Sequence, residues 1–250
     1  MTSRIAYSCN TNLESAATVL RAALHLPSHH SPNNGAQTFI TVSRQAGAGG
    51  RTFSHQLASR LNESSGHIPW TVWDHELVEK VSADHGIAKS FVEMMEDRHH
   101  NWLTDVLDNL SPANDHPDEF KVYKRVASTI LTVARAGHAI IVGRGGRFIT
   151  ERLPWGIHIR LVAGWDARVR HISERFAISP LQATHRIREI DAARESFYRR
   201  YWPGRHLTPD CFTFTLNARE MSVEEMVDCV LPLIHTREAA SAERAAAQQN

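Results

Sequence analysis

The segment from Phe39 to Thr52 constrains the fold more than any other part of the chain. It sets a β-rich apolar run, Phe39–Ser43, directly against Arg44-Gln45-Ala46-Gly47-Ala48-Gly49-Gly50-Arg51-Thr52, and helical sequence then continues through Leu61. A glycine-dense turn between a strand and a helix is a place where consecutive backbone N–H groups and a helix N-terminus converge on one anion. Glycine permits that wrapped backbone and leaves no Cβ in the way of a ligand. Thr52 is placed to present its hydroxyl to a magnesium ion carried by bound phosphates. The strict phosphate-loop pattern has Gly at its start and Lys before the closing hydroxyl segment. Here Arg44 takes the first place and Gly50 the lysine's, with Arg51 one residue later. Three readings stand on these residues alone: a phosphate loop, a dinucleotide-binding turn with Asp74 as the acid ending the next strand, and a turn that binds nothing.

The rest of the chain repeats the alternation. Trp70–Trp73, Ala139–Val142, Ile157–Val162 and Phe212–Leu216 read as further strands, with Ala139–Val142 apolar throughout, as in a strand covered on both faces. Three helical segments are predicted across residues 75–136. The last carries Phe120, Tyr123, Ala127, Ile130, Leu131 and Ala134 on one stripe, and Gly137 stops it. Ser222 and Glu225 form a capping box for a closing helix that Pro232 is expected to end or bend. Strands separated by helices predict an α/β fold in three layers, with about five parallel strands and right-handed crossovers. Residues 1–36 read as an extension and linker, with an amphipathic helix from Leu13 to Leu26. Residues 37–235 read as one domain with a helical insertion (75–136) and a lid-like helical region (179–205), followed by a tail (236–250).

With 28 Lys and Arg against 27 Asp and Glu, the net charge is +1, so no global field attracts nucleic acid. Local arginines must hold any anionic ligand. Arg144 follows the third strand, where open α/β folds place their ligands. Arg186, Arg188, Asp191, Arg194, Arg199 and Arg200 lie in one helical stretch. The spacing of Arg188, Asp191 and Arg194 predicts a shared face that either closes over phosphates or stays solvated in ion pairs. The three cysteines form no CxxC pair, which suits a reducing cytoplasm, and no apolar run approaches the roughly 18 residues that span a bilayer.

In combination and order, Ile40–Arg44 with Gly47–Arg51, Trp73-Asp74-x-Glu76-Leu77, Ile140–Gly145, and Asp191-x-x-Arg194 before Phe197-Tyr198 resemble the cytidylate kinase-like P-loop proteins over about residues 38–235. The resemblance implies a P-loop kinase-type fold, with ATP and Mg²⁺ on Gly47, Ala48, Gly49, Gly50, Arg51 and Thr52. It implies a nucleoside monophosphate, CMP- or dCMP-like, as the acceptor in the facing cleft. Arg144, Asp191 and Arg194 match residues that hold the acceptor's phosphate and sugar. Asp74 matches the acid ending the second strand, and Lys80 falls where those enzymes carry a phosphate-binding arginine. Two departures stand out: Gly50 replaces the lysine, and Gly145 replaces an aspartate that helps to read cytosine. Arg51, Arg186 or Arg188 is then expected to reach the transferred group in the lysine's stead. The helices of 87–136 correspond to an acceptor-binding insertion and could equally form a homodimer face. Two other readings remain: a nucleotide-binding regulatory domain without catalysis, and, more distantly, an NAD-dependent oxidoreductase.

Overall fold

The computed structural model describes residues 37–64, 69–83 and 117–247. The expected helix at Leu13–Leu26, the linker after it and the helices placed between 84 and 116 lie outside the described residues. Five strands form one sheet: β1 (Phe39–Arg44), β2 (Thr71–Trp73), β3 (Ala139–Val142), β4 (Gly156–Val162) and β5 (Phe214–Asn217). Their spatial order is β2-β3-β1-β4-β5, and each neighbouring pair is parallel. Ile40 and Val42 of β1 sit opposite Ile140 and Val142 of β3, while Val42 also faces Ile159 of β4.

Because successive strand residues point to opposite faces, this register sorts the apolar side chains into two cores. Phe39, Ala139 and Ile141 face one side, packed with Trp73, Tyr123, Ile130, Leu131 and Phe148. Ile40, Val42, Ile140, Val142, Ile157 and Ile159 face the other. There they meet Phe53, Leu57 and Leu61 of α1 (Gly50–Ser64), which recur every four residues and so share one helical stripe. Each such side chain fully buried contributes about 1.5–3 kcal/mol, which is why β1 and β3 hold the centre of the sheet.

The first core is covered by α2 (His75–Ala83), α3 (Pro117–Ala136) and the short α4 (Gly146–Ile149). The stripe read on α3 is buried at Tyr123, Ala127, Ile130, Leu131 and Ala134, and the helix ends at Gly137, whose φ is 76°. Beyond β4 come α5 (Trp165–Phe176) and α6 (Pro180–Tyr201). Ser179 caps α6 reciprocally with Gln182.

Two expectations are corrected. β5 begins at Phe214 rather than Phe212, because Pro209–Cys211 form a 3₁₀ turn and Phe212 and Thr213 still belong to the approach. The closing helix α7 (Val223–Ala247) starts at the predicted Ser222–Glu225 box, and Pro232 does not end it. Pro232 and Asp228 are both exposed, so water solvates the carbonyl that proline leaves without a donor. Val230 and Ile234, on either side, are fully buried and hold the helix on the sheet. The segment read as a tail therefore continues the fold. Arg237 Nη1 donates to Gly156 O at 2.6 Å, at the start of β4.

Candidate functional site

β1 leaves the sheet at Arg44 and enters the glycine turn at the carboxyl edge, between β3 and β4. Gln45 extends the β1–β4 ladder by one rung, its N–H donating to Leu161 O at 3.1 Å, and its side-chain Oε1 accepts from Ala163 N at 3.0 Å. Beyond that rung the backbone turns away. Gly47 has φ 80° and Gly49 φ 75°, values that favour glycine. A Cβ on Gly47 would lie 2.9 Å from Arg168 O, so the turn also needs glycine to approach α5. Ala48 points back into the core.

Ala46 N donates to Asp191 Oδ1, Ala48 N to Gln45 O, and Phe53 N to Gly49 O. Among the described residues the amides of Gly47, Gly49, Gly50, Arg51 and Thr52 have no protein acceptor. Unpaired N–H groups at the first turn of a fifteen-residue helix, with the helix dipole behind them, form an anion-binding nest. A Cβ on Gly49 would meet nothing within 4 Å, so the nest is open.

Two cavities adjoin this turn. The first, about 370 Å³, is bordered by Gly47, Gly49, Gly50, Arg51, Asp74 and Arg186, with His171 and Arg175 of α5. The second, about 880 Å³, lies towards α6 and is bordered by Arg144, Arg160, Asp191, Arg194, Arg199 and Arg205. Arg44, His75, Val142 and Arg194 border both. Arginines outnumber carboxylates in each wall, so a chain of near-zero net charge concentrates its cations where the sheet ends. Burial, with Arg194 and Arg144 nearby, lowers the pKa of Arg44 to about 10, and burial lowers that of Arg194. Crowded guanidiniums of this kind are relieved by a polyanion.

α6 supplies the brace. Asp191 accepts from Ala46 N at 2.9 Å with one oxygen and from Arg168 Nη2 at 2.5 Å with the other. Arg194 Nη1 donates to Arg44 O at 2.9 Å and lies 3.7 Å from Asp191. Asp191 and Arg194, two of the residues expected to touch the acceptor, thus hold the glycine turn itself. Arg188 does not share their face: it lies 5.6 Å over the Trp165 ring and borders neither cavity. Steps of three residues drift by about 60° each on an α-helix, which puts Arg188 roughly 120° from Arg194. Arg186 stacks 4.2 Å over Phe176 at the rim of the first cavity. Arg51 and Thr52 are exposed on α1, and only Arg51 borders the cavity.

The turn after β3 is built differently. Gly143, Arg144 and Gly145 all have left-handed φ (80°, 52° and 73°), and Tyr123 Oη donates to Arg144 O at 2.9 Å, fixing the reversal. Arg144 is held by Glu79 and His75 of α2. Asp74 Oδ1 accepts from Leu77 N at 3.1 Å and so caps α2 while facing the first cavity. Lys80 belongs to α2, and its side chain lies outside the described residues. Gly145 is overlaid by aromatic groups: a Cβ there would lie 2.8 Å from Tyr123 Oη and 2.5 Å from Trp202 Cζ3, with Trp202 Cη2 nearer still. No carboxylate fits at that place. Sequence reasoning missed Arg168, which is 5% exposed and anchors Asp191. It also missed Arg160 and Arg205 in the second wall, residues with no motif to mark them.

An open nest at the end of β1, two arginine-walled cavities and a parallel sheet define a phosphate-binding α/β domain of the P-loop type. The cytidylate kinase-like family matches residues 39–219, and the chain belongs to that family. No curated protein matches. Among solved structures, a protein from Eubacterium ventriosum is similar over 80% of this chain and 99% of its own, at 18% identity and TM-score 0.61, a likeness of fold alone. Shikimate kinases from Acinetobacter baumannii (15% identity, 82% of this chain and 96% of that one) and Bacteroides thetaiotaomicron (16%, 79% and 98%) both align at TM-score 0.40, too low to carry an argument. The family supports a phosphotransferase that acts on a nucleotide or another small molecule. No helix among the described residues is long and apolar enough to cross a membrane.

Proposed function

We propose that this chain transfers the γ-phosphoryl group of ATP to the phosphate of a nucleoside monophosphate, with CMP or dCMP as the first acceptor to try. The observation that carries the reading is the row of unpaired amides from Gly47 to Thr52, opening into a cavity that adjoins a second, larger one. A nest beside one cavity accommodates a donor triphosphate, and the neighbouring arginine wall accommodates an acceptor phosphate. Phosphoryl transfer asks mainly for positioning and charge neutralisation, which this arrangement supplies.

The glycine-turn amides hold the β- and γ-phosphates, and Arg51 and Arg186 stand at the rim of the donor cavity. Arg194 borders both cavities, and Arg144 lies in the acceptor wall. For Arg144 to reach an acceptor phosphate it exchanges its contacts with Glu79 and His75 for the phosphate oxygens. Among the described residues no group of three or more His, Cys, Asp or Glu side chains could cage a metal. Magnesium would enter this site as a passenger on the phosphates, and Thr52, exposed in the first turn of α1 but outside the cavity wall, would be the hydroxyl to bind it. It would supply neutralisation of the β- and γ-oxygens.

The test is ADP formation by the purified chain with ATP–Mg²⁺ and each of CMP, dCMP, UMP, AMP and GMP, with NAD⁺ binding measured in parallel. ADP accumulating with one monophosphate establishes the kinase and names its acceptor. ATP bound without ADP formation assigns a non-catalytic nucleotide sensor, a reading favoured by Gly50 and by the aromatic cover over Gly145. Preference for NAD⁺ overturns the phosphate-loop assignment.

A further inference from the structure

Gly50 stands where the phosphate-loop pattern has its lysine, and Arg44 stands where it has its first glycine. These look like two separate departures in the sequence. In three dimensions they are one. A Cβ on Gly50 would lie 2.9 Å from Arg44 Cγ, 3.2 Å from its Cβ and 3.3 Å from its Cδ, so the arginine stem runs directly over the α-carbon that would bear the lysine. The guanidinium continues to the β3 turn, where a Cβ on Gly143 would lie 3.1 Å from Arg44 Cζ. Neither glycine could carry a side chain without displacing Arg44.

The guanidinium thereby reaches the wall shared by the two cavities. Among the described residues it has no hydrogen-bond acceptor and no carboxylate in direct contact, although Asp74 on the wall of the first cavity lies near enough to favour its charge. Its cationic neighbours, Arg194 and Arg144, disfavour its charge, and burial disfavours it more. An arginine held half-buried between like charges, with no carboxylate bonded to it, is a site prepared for an anion. By contrast Arg51 is exposed, and Arg186 is engaged on Phe176.

We propose that Arg44 is the catalytic cation that replaces the missing loop lysine, its side chain crossing Gly50 to bind the oxygens of the transferred phosphoryl group. The proposal rests on the kinase reading for its chemistry. An acceptor phosphate oxygen forms a bond to the γ-phosphorus while the bond from that phosphorus to the β–γ bridging oxygen breaks and ADP leaves. Arg44 keeps all its protons throughout and donates hydrogen bonds to the equatorial oxygens. Swapping Gly and Lys for Arg and Gly leaves one cation at the centre of the site, delivered from the opposite end of the loop.

The experiment uses the full chain and four variants: Arg44→Ala, Arg44→Lys, Arg51→Ala and the exchange R44G/G50K, each checked by thermal melting. Turnover is measured with the best monophosphate, and affinity for ADP and for a non-hydrolysable ATP analogue by calorimetry with Mg²⁺. The expected result is a fall in turnover of about 10³-fold in Arg44→Ala, a smaller fall in Arg51→Ala, and partial recovery in R44G/G50K. Recovery by the exchange is something a merely structural role for Arg44 would not give. The preference for the triphosphate analogue over ADP should fall at least tenfold in Arg44→Ala and be partly kept in Arg44→Lys. Arg44→Ala with wild-type turnover and unchanged triphosphate preference overturns the proposal while leaving the kinase reading intact. A wild-type chain without turnover, whose triphosphate preference still depends on Arg44, overturns the catalytic role together with the kinase reading and leaves Arg44 as a ligand of the terminal phosphate alone. Absence of any nucleotide binding overturns both.

Discussion

Single residues in this protein are committed by what surrounds them more than by their own chemistry. His158 is an example. Its Nδ1 lies 2.8 Å from Thr41 Oγ1 on the neighbouring strand, and its ring meets Phe39 edge to face. Burial, with Arg147 and Arg237 nearby, lowers its pKa from 6.5 to about 3. The folded chain therefore takes up this proton only near pH 3, whereas the unfolded chain takes it up near pH 6.5. Between those values the unfolded state holds more protons, so stability rises with pH. We expect His158 to cost the fold stability as pH falls below 6.5, at up to about 1.4 kcal/mol per pH unit. Urea unfolding of wild type and His158→Gln from pH 7 to pH 4 checks this: the wild-type curve should be the steeper. Parallel curves would mean that the histidine is not held neutral.

Among elements, α6 ties the site together. It carries Asp191 to the glycine turn and to Arg168, and Arg194 to the carbonyl of Arg44. Family resemblance assigns Asp191 to the acceptor's sugar, whereas the observed bonds make it a brace, and the two roles separate by experiment. Asp191→Ala leaves the Arg168 guanidinium buried without its carboxylate. A fully buried broken pair costs about 3–5 kcal/mol. Asp191 itself is 34% exposed, so about 2 kcal/mol is expected. A brace predicts a lower melting temperature together with about tenfold weaker ATP binding, since the turn that presents the amides is freed. A sugar ligand predicts unchanged melting and a raised KM for the acceptor alone.

At the scale of the molecule, the last helix decides where the fold ends. The boundary read at 235 cuts α7 in its middle and removes Arg237 from Gly156 O. Glu238, 3.6 Å from His138, is lost with it. Burial pushes the histidine down and the carboxyl up, so that contact is not a strong ion pair. Ending the chain after residue 235 is therefore expected to lower the melting temperature by several degrees, the effect of about 1 kcal/mol in a domain of this size, while leaving nucleotide affinity unchanged. An identical melting curve would restore the earlier boundary.

The amino-acid order by itself determined the parallel sheet and its five strands. Apolar runs of four to seven residues separated by helical stripes leave few ways to cover both faces, and that information is local. It also marked the glycine turn, because the φ values found at Gly47 and Gly49 favour glycine. It singled out Arg144 and Arg194, which border the larger cavity, since strand ends and helix faces have fixed periods. It did not show that Arg188 turns away, because a spacing of three drifts around a helix. Nor did it show that α7 continues past Pro232, which lies on its exposed side. The meaning of Arg44 came only from the tertiary structure. Residues six apart in the chain, Arg44 and Gly50, become a single feature when the glycine turn folds one across the other, and Gly143 joins them from across the sheet. Side-chain reach and the space left by an absent Cβ are properties of the packed molecule, and no pattern along the chain encodes them.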